Sequence, residues 1–323
     1  MNSRFKKIVL DATKAKELVE TEKIQDLWSG YGVIMRYALI GSNLESVVVK
    51  HIRLPQKSTH PRGWNTDISH QRKVKSYEVE MAWYRNWSRF CDENCYVPQC
   101  FAMDFYDNET LIVLEDLAYV GFGELKRTVT FSEIKVCVKW LANFHATYMN
   151  KSPDELWENG TYWHLETRPD ELKALDDLPL KKAAKKIDQK LRDSSFQTFV
   201  HGDAKLANFC FGKSGKRVAA VDFQYVGAGC GMKDLAYFIG SCLREDECEK
   251  LESELLDYYF DVLKYALKEK NKVIDFCALE KDWRSLFPVA WTDFHRFLKG
   301  WSPGHWKINS YSERLARQVV ESL

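Results

Sequence analysis

The stretch His201-Gly202-Asp203-Ala204-Lys205-Leu206-Ala207-Asn208 decides the fold of this chain. It follows a short apolar run that is typical of a strand end, and its glycine suits a tight turn. The turn leaves a carboxylate at Asp203 and an amide at Asn208 in a loop. A second apolar strand ends at Asp222, and a predicted turn at residues 212–215 lets the two strands run side by side. We therefore expect Asp203, Asn208 and Asp222 to converge.

This set of polar groups suits phosphoryl transfer. In that chemistry one carboxylate orients and deprotonates the attacking hydroxyl, while hard oxygen ligands hold Mg²⁺ on the phosphates. Asp203 is therefore the candidate base, and Asn208 and Asp222 are the candidate metal ligands. Lys205, two residues beyond the base, could reach the γ-phosphate as a mobile positive charge.

The pattern His-Gly-Asp-x-x-x-x-Asn, followed by a strand-ending Asp, resembles the small-molecule kinases of the choline kinase, aminoglycoside phosphotransferase and ecdysteroid kinase-like group. The resemblance implies an α+β, two-lobed protein-kinase-like fold. Residues 1–117 would form a small β-rich N-terminal lobe, and residues 118–323 a larger, mainly helical C-terminal lobe. It also implies ATP and Mg²⁺ as cofactors and a small hydroxylated molecule as the phosphate acceptor.

The same resemblance places nucleotide-binding residues in the first lobe. Lys50, at the end of a valine-rich strand, matches the lysine that contacts the α- and β-phosphates. Glu80 matches the helix glutamate that pairs with this lysine, and Glu78 is the alternative. No Gly-x-Gly-x-x-Gly is present, so Gly30 and Gly32 are expected in a shorter loop over the phosphates.

Further positions follow from the resemblance at the hinge and below the catalytic loop. Residues 111–117 resemble the hinge whose backbone binds adenine, which places Glu115 and Leu117 at the nucleotide. Asp234 resembles the buried aspartate that braces the catalytic loop, and His201 is expected to give structural support rather than to react.

Two alternatives to a small-molecule kinase need weighing. Asp234 follows Asp222 by only 12 positions, which leaves no room for a peptide-docking activation segment, so a protein kinase is disfavoured. The residue pair after Asp222 is Phe-Gln rather than Phe-Gly, which also departs from protein kinases. A pseudokinase that binds nucleotide or a partner without transfer stays open, because a retained set of residues does not prove turnover.

The acceptor is less well specified by the sequence. Its pocket is expected in the C-terminal lobe, where the candidate residues are Trp291, His295, Trp301 and Trp306. Trp301 and Trp306 flank residues 303–305 and are expected in the same loop, where such aromatics could form a pocket wall or a cation–π face. An amino alcohol such as choline and a sterol-like or other apolar alcohol both fit this composition.

Composition excludes several other classes. Lys+Arg 47 against Asp+Glu 46 leaves a net charge of +1, so no basic excess points to nucleic acid. No segment approaches the roughly 20 apolar residues that a membrane span needs. Nine cysteines without metal-binding spacing are expected to be reduced thiols, and we predict a cytoplasmic protein. Nothing in the sequence indicates the oligomeric state.

Periodicity predicts the main elements. Two β-hairpins are expected, with strands at 33–40 and 46–52 and at 101–105 and 111–114. Residues 55–70 are expected to form a loop, followed by a helix over 72–90. A capping box at Thr130 and Glu133 predicts the start of a long helix.

Overall fold

The computed structural model describes residues 1–27, 30–53 and 67–323. The N-terminal lobe is built on a five-stranded antiparallel sheet of order β1-β2-β3-β5-β4, and two helices accompany it. In chain order these elements are α1 (Ser3–Thr13), β1 (Glu17–Asp26), β2 (Gly32–Ile40), β3 (Ser46–Arg53), α2 (Asp67–Ala82), β4 (Cys100–Tyr106) and β5 (Glu109–Glu115).

The two faces of this sheet contact different parts of the protein, because the side chains of each strand alternate between them. Val47 and Val49 of β3 are fully buried and lie in one cluster with Phe5 and Val9 of α1. Because successive side chains of a strand point to opposite faces, Lys50 points away from α1. On that face Lys50 lies between its cross-strand neighbours Ile34 of β2 and Ile112 of β5.

The C-terminal lobe is mainly helical. Its elements are β6 (Glu124–Leu125), α3 (Phe131–Tyr148), α4 (Pro169–Ala174), α5 (Leu178–Arg192), β7 (Thr198–Val200), β8 (Phe209–Phe211), β9 (Val218–Ala220), β10 (Gly227–Gly229), α6 (Met232–Cys242), α7 (Glu245–Glu269), α8 (Phe276–Trp301) and α9 (Ser310–Glu321). β8 pairs with β6 and β9, and β10 pairs with β7, all antiparallel. These two short ladders carry the catalytic loop between them.

Most predicted elements are present with small changes of boundary. Both hairpins of the first lobe form, and the Thr130 capping box begins α3 as expected. The turn at 212–215 joins β8 to β9, as predicted. The N-terminal α1 and β1 were not predicted, because β1 is mostly exposed and rich in charged residues, and pairing with β2 holds it.

Two local predictions were wrong. The predicted loop extends to residue 70, but α2 begins at Asp67, while residues 54–66 lie outside the described part of the chain. The helix is stabilised there by a contact that no local pattern shows: the Tyr31 hydroxyl lies 2.7 Å from His70 Nδ1. Trp301 was expected in a loop, but it is the last residue of α8. No helix within the described ranges is apolar over enough of its length to cross a bilayer.

Candidate active site

The catalytic loop owes its shape to a glycine and a buried carboxylate. Gly202 has a φ of +78°, and a Cβ at this position would lie 2.1 Å from the carbonyl oxygen of Tyr225. Asp234, at the start of α6 and fully buried, accepts hydrogen bonds from the backbone N–H groups of His201 (2.5 Å) and Gly202 (2.9 Å). His145 of α3 contacts the same carboxylate at 3.1 Å. Asp234 therefore fixes the backbone of the catalytic loop at His201 and Gly202.

His201 lies inside the loop rather than at its surface. Its Nε2 is 3.0 Å from the carbonyl oxygen of Val221, and its Nδ1 accepts a hydrogen bond from the Asp203 N–H at 3.2 Å. The side chain is fully buried, and its ring lies 4.6 Å from that of Phe223 at an interplanar angle of 43°. These contacts tie the loop of Asp203 to the strand that ends at Asp222.

Asp203 is surrounded by three hydrogen-bond donors. Lys205 Nζ donates to Oδ2 at 2.8 Å, and Asn208 Nδ2 donates to the same oxygen at 3.1 Å. The Tyr237 hydroxyl donates to Oδ1 at 3.1 Å. Although burial opposes its charge, the carboxylates of Asp203 and Asp222 raise the pKa of Lys205, so the ammonium stays charged between them. These three contacts fix the orientation of the Asp203 carboxylate.

Asp222 occupies a strained position. Its φ is +71°, which is uncommon for a residue with a side chain, and its side chain is 33% exposed. Burial would raise the pKa of Asp222, but Lys50, Lys205 and Lys73 lower it well below its usual range. The carboxylate is thus held anionic and accessible, as a cation ligand requires.

Lys50 joins the two lobes through carboxylates. Its Nζ lies 2.6 Å from Glu80 Oε2 and 3.4 Å from Asp222 Oδ1, and both Lys50 and Glu80 are buried. Burial disfavours the ammonium, yet Glu80 and Asp222 raise the pKa of Lys50. Glu80 is therefore the glutamate that pairs with Lys50, whereas Glu78 is exposed and lies 3.7 Å from Lys75.

The hinge residues lie at the end of β5. Glu115 pairs with Tyr96, whose hydroxyl donates to it at 2.9 Å, and Leu117 is buried. Asp116, between them, accepts a hydrogen bond from Arg36 Nε at 2.7 Å and is almost fully buried. This link from β2 to the hinge was not predicted, since the two residues are 80 positions apart.

Gly30 lies in the connection between β1 and β2, of which residues 28 and 29 are outside the described part of the chain, and Gly32 is the first residue of β2. Gly30 has a φ of +76°, and no described atom lies within 4 Å of a Cβ built there. Gly32 has a φ of +134°, and a Cβ there would lie 2.0 Å from the carbonyl oxygen of His51. Residue 32 therefore has to be glycine for β2 to pair closely with β3. At Gly30 no described neighbour would contact a Cβ.

Gln224 is a site residue that the sequence analysis noticed only as a departure from Phe-Gly. It is buried, and its Oε1 accepts hydrogen bonds from Lys73 (2.8 Å) and Ser76 (3.2 Å) of α2. Its Nε2 donates to Asp222 Oδ1. The glutamine therefore connects α2 to the candidate metal ligand, a role that a glycine could not fill.

The four predicted pocket residues divide into two groups. Trp291 packs against Gly240 and Tyr311, and His295 lies 3.6 Å from Glu313 of α9. The structure thus places these two in the contacts of α8 with α6 and α9, and we remove them from the predicted pocket. Helical spacing alone could not separate them from the neighbouring face of α8.

The neighbouring face of α8 does approach Asp203. Phe294 and Phe297 cluster there with Tyr237, whose hydroxyl contacts Asp203, and Trp301 stacks on Phe297 at 5.8 Å. The cluster also contains Tyr162, Trp163 and Ile308. Trp306 is 55% exposed in the connection after α8. Trp301 therefore belongs to an aromatic wall beside the candidate base, and most of that wall was not predicted.

The residues present fit a magnesium ion shared with phosphate groups. The Asn208 side-chain nitrogen donates to Asp203, which leaves the side-chain oxygen of Asn208 for a cation, and the backbone oxygen of Asn208 accepts from the N–H of Val221, the residue before Asp222. Within the described ranges no cluster of three or more His, Cys, Asp or Glu side chains could hold a metal by itself. Mg²⁺ commonly takes one or two protein ligands and completes its shell with water and substrate phosphates. Asp222 and Asn208 are a donor set of that kind.

Solved structures show the class of fold. The chain superposes on a microcompartment-associated aminopropanol kinase with a TM-score of 0.52 at 12% identity, covering 99% of this chain and 98% of that one. An aminoglycoside phosphotransferase from Streptomyces rimosus, in complex with ADP and streptomycin, gives 0.45 at 11% identity over 90% and 98% of the two chains. The likeness to the first shows the two-lobed protein-kinase-like fold, as predicted.

Sequence comparison gives the family. The family model described as ecdysteroid kinase-like matches residues 44–162 and 161–272, which is more than half of the chain. The chain belongs to the ecdysteroid kinase-like family and is a small-molecule kinase by class. No curated protein matches it by sequence.

Proposed function

We propose that this protein transfers the γ-phosphate of ATP to a hydroxyl of a small molecule in a Mg²⁺-dependent reaction. One observation carries the proposal: Asp203 forms an ion pair with Lys205, and Asp222, which lies 3.4 Å from Lys50 of the other lobe, raises the pKa of the same Lys205. Acceptor activation, metal binding and phosphate binding would then meet at one point between the lobes.

The first lobe would hold the nucleotide. Lys50, oriented by Glu80, would contact the α- and β-phosphates, and the turn containing Gly30 and Gly32 would cover them. The backbone from Glu115 to Leu117 would bind the adenine. Buried ion pairs can be purely structural, but the contact from Lys50 to Asp222 aims the ammonium at the candidate metal site.

The second lobe would activate the acceptor. Asp203 would accept the proton of the attacking hydroxyl at one carboxylate oxygen, while Tyr237 and Asn208 fix the orientation of the carboxylate. Lys205 would leave Asp203 for the transferred phosphate. Asp222 and Asn208 would hold Mg²⁺, which when bound neutralises charge on the phosphate oxygens.

The aromatic wall beside Asp203 favours an acceptor with an apolar body. Phe294, Phe297 and Tyr237 are uncharged aromatic residues that cluster and are buried in the free protein, so the surroundings of Asp203 on this side are mainly apolar. Amino alcohols such as choline and sterol-like or other apolar alcohols are the two acceptor classes that we carry forward. A polycationic acceptor would need an acidic pocket, which this wall does not supply.

The test is transfer of label from γ-labelled ATP with Mg²⁺ to pools of amino alcohols, sterol and terpenoid alcohols, sugars and aminoglycosides. Asp203→Asn should lower turnover by about two to four orders of magnitude and leave ATP binding nearly intact. Asp261→Asn, at an exposed position of α7, is the matched control and should keep the wild-type rate. ATP binding without transfer to any pool would favour the pseudokinase alternative, and full activity of Asp203→Asn would refute the assignment of the base.

Asp222→Ala separates metal binding from the role of the base. This variant should lose the part of nucleotide affinity that depends on Mg²⁺, because the ion loses its carboxylate ligand. Calorimetric titration of ATP with and without Mg²⁺ measures that difference. Equal Mg²⁺ dependence in the variant and in the wild type would remove Asp222 from the metal site.

A further inference from the structure

Lys307 lies against the aromatic wall of the acceptor side. It belongs to the connection between α8 and α9, and its Nζ lies 5.0 Å from the ring centroid of Tyr237 and 5.5 Å from that of Phe294. The Trp306 ring is 5.7 Å away. The backbone of Lys307 is held in place, since its N–H donates to His305 Nδ1 and its carbonyl oxygen accepts from Ser312 Oγ.

Among the residues that the structure describes, none gives the ammonium of Lys307 an anionic partner. Within residues 1–27, 30–53 and 67–323, no carboxylate lies within ion-pair distance of its Nζ and no acceptor is hydrogen-bonded to it. A half-buried cation without an anionic protein partner must be hydrated or paired with a ligand, and the second case places a polar group of the ligand at Lys307.

Burial has the expected effect on this lysine. It lowers the pKa of Lys307 to about 8, although the charges of Cys242 and Asp203 act in the opposite direction. Lys205 also faces Lys307 and lowers its pKa. Burial raises the pKa of Cys242 to about 12, so the thiol of α6 stays neutral near pH 8. The ammonium is therefore largely charged at neutral pH.

Tyr237 relates Lys307 to the reaction centre. The hydroxyl of Tyr237 contacts Asp203 Oδ1 at 3.1 Å, and the ring of the same residue lies beneath the ammonium. The ring of Tyr237 thus lies between Lys307 and the candidate base Asp203, on the side of the site where α8 packs. An acceptor whose hydroxyl reaches Asp203 along this wall brings its body close to Lys307.

We propose that Lys307 determines acceptor specificity: its ammonium selects alcohols that carry a carbonyl or carboxylate oxygen on an apolar body and rejects cationic amino alcohols. The inference rests on the proposed function of the same site. It decides between the two acceptor classes, because the faces of Tyr237 and Phe294 that could bind a quaternary amine are already occupied by a protein cation. A second cation beside Lys307 would be repelled in a partly desolvated site.

The test uses alcohols with one hydrocarbon chain and different far ends: hydroxydecanoate, its methyl ester, decanediol and aminodecanol. Binding is measured calorimetrically at neutral pH without ATP, and transfer from labelled ATP is measured in parallel. The wild type should bind hydroxydecanoate at least about tenfold more tightly than aminodecanol, with the neutral probes between them.

Variants assign this preference to Lys307. Lys307→Met keeps the length and removes the charge, and it should reduce the ratio of affinities to less than about threefold. Lys264→Met is the matched control, because Lys264 also lies over a ring, that of Phe276 at 5.5 Å. Lys264 stands on α7 and its variant should keep the wild-type ratio.

The outcomes distinguish this inference from the proposed function. Tighter binding of aminodecanol, no preference, no binding of any probe, or a preference that survives in Lys307→Met would overturn the role of Lys307. A preference that Lys307→Met abolishes supports that role, even if no probe receives label. Absence of transfer to these probes and to all the acceptor pools would instead count against the kinase reaction, since binding was measured without ATP.

Discussion

Replacing Gln224 by methionine tests whether the residue after Asp222-Phe223 positions the candidate metal ligand. Methionine has nearly the same length, so the buried position stays filled while both polar groups of the amide are lost. Lys73 and Ser76 of α2 then lose the oxygen to which they donate at 2.8 and 3.2 Å. Asp222 loses its donor as well.

The size of the effect follows from burial. Burial lowers the pKa of Lys73, and loss of its acceptor removes one hydrogen bond to a charged group, worth about 1.5–3 kcal/mol. Asp222 is partly exposed, so water replaces much of the lost bond there. We expect a loss of about 2 kcal/mol in the free energy of unfolding, or about 3–6 °C in Tm. Because the Asp222 side chain would then rotate more freely, the Mg²⁺ concentration at which the transfer rate is half-maximal should rise about tenfold.

The assay pairs a thermal unfolding scan with Mg²⁺ titration of the transfer rate at saturating ATP. Gln189→Met is the control, because Gln189 of α5 also donates to an aspartate, Asp193 at 2.6 Å, but in an exposed place. Gln189→Met should change neither the Tm nor the Mg²⁺ requirement. If Gln224→Met matched Gln189→Met in both Tm and Mg²⁺ requirement, the reasoning about the link from α2 to Asp222 would be refuted.

Three further predictions concern the loop and the acceptor side. Gly202→Ala should lower the free energy of unfolding by about 2–4 kcal/mol, since the φ of Gly202 is left-handed and the carbonyl oxygen of Tyr225 occupies the space of a Cβ. Gly304→Ala is the control and should leave this free energy unchanged, because no described atom lies within 4 Å of a Cβ there. Denaturant titration compares the two variants. Asp234→Asn should lower the free energy of unfolding by about 3 kcal/mol and lower turnover, because an amide nitrogen would replace one of the two oxygens that accept from the His201 and Gly202 N–H groups; unchanged stability and rate would contradict the role of Asp234 as a brace. Acceptor selectivity should be complete at pH values well below 8 and fade above about pH 8, as Lys307 loses its proton, and Lys307→Met should show no such transition in binding titrations.

The sequence was sufficient for the fold because the decisive residues lie in short local patterns. The loop from His201 to Asn208, the strand ending at Asp222 and the capping box of Thr130 are each read within a few positions, and their order implies the kinase-like architecture. The two-lobed fold and the family were confirmed. The roles of individual residues, the lobe boundary at Leu117 and the cytoplasmic location stay predictions.

What could not be predicted depends on contacts between distant segments. The bond from Arg36 to Asp116 and the link from Lys73 to Gln224 join positions 80 and 151 residues apart. The aromatic wall shows the same limit, since periodicity marks α8 as buried but does not tell which buried face meets Asp203. Trp291 was therefore grouped with the wrong face, and Lys307 was not noticed at all.

The short segment after Asp222 has a consequence for regulation. Its residues are committed to the protein interior within a few positions, because Gly227–Gly229 forms β10 against β7 and α6 begins at Met232. No length of chain is left between Asp222 and Asp234 that could be ordered by phosphorylation and released again. Asp222 and Asp234 are therefore positioned by the fold itself and not by a segment that a phosphate group would have to order.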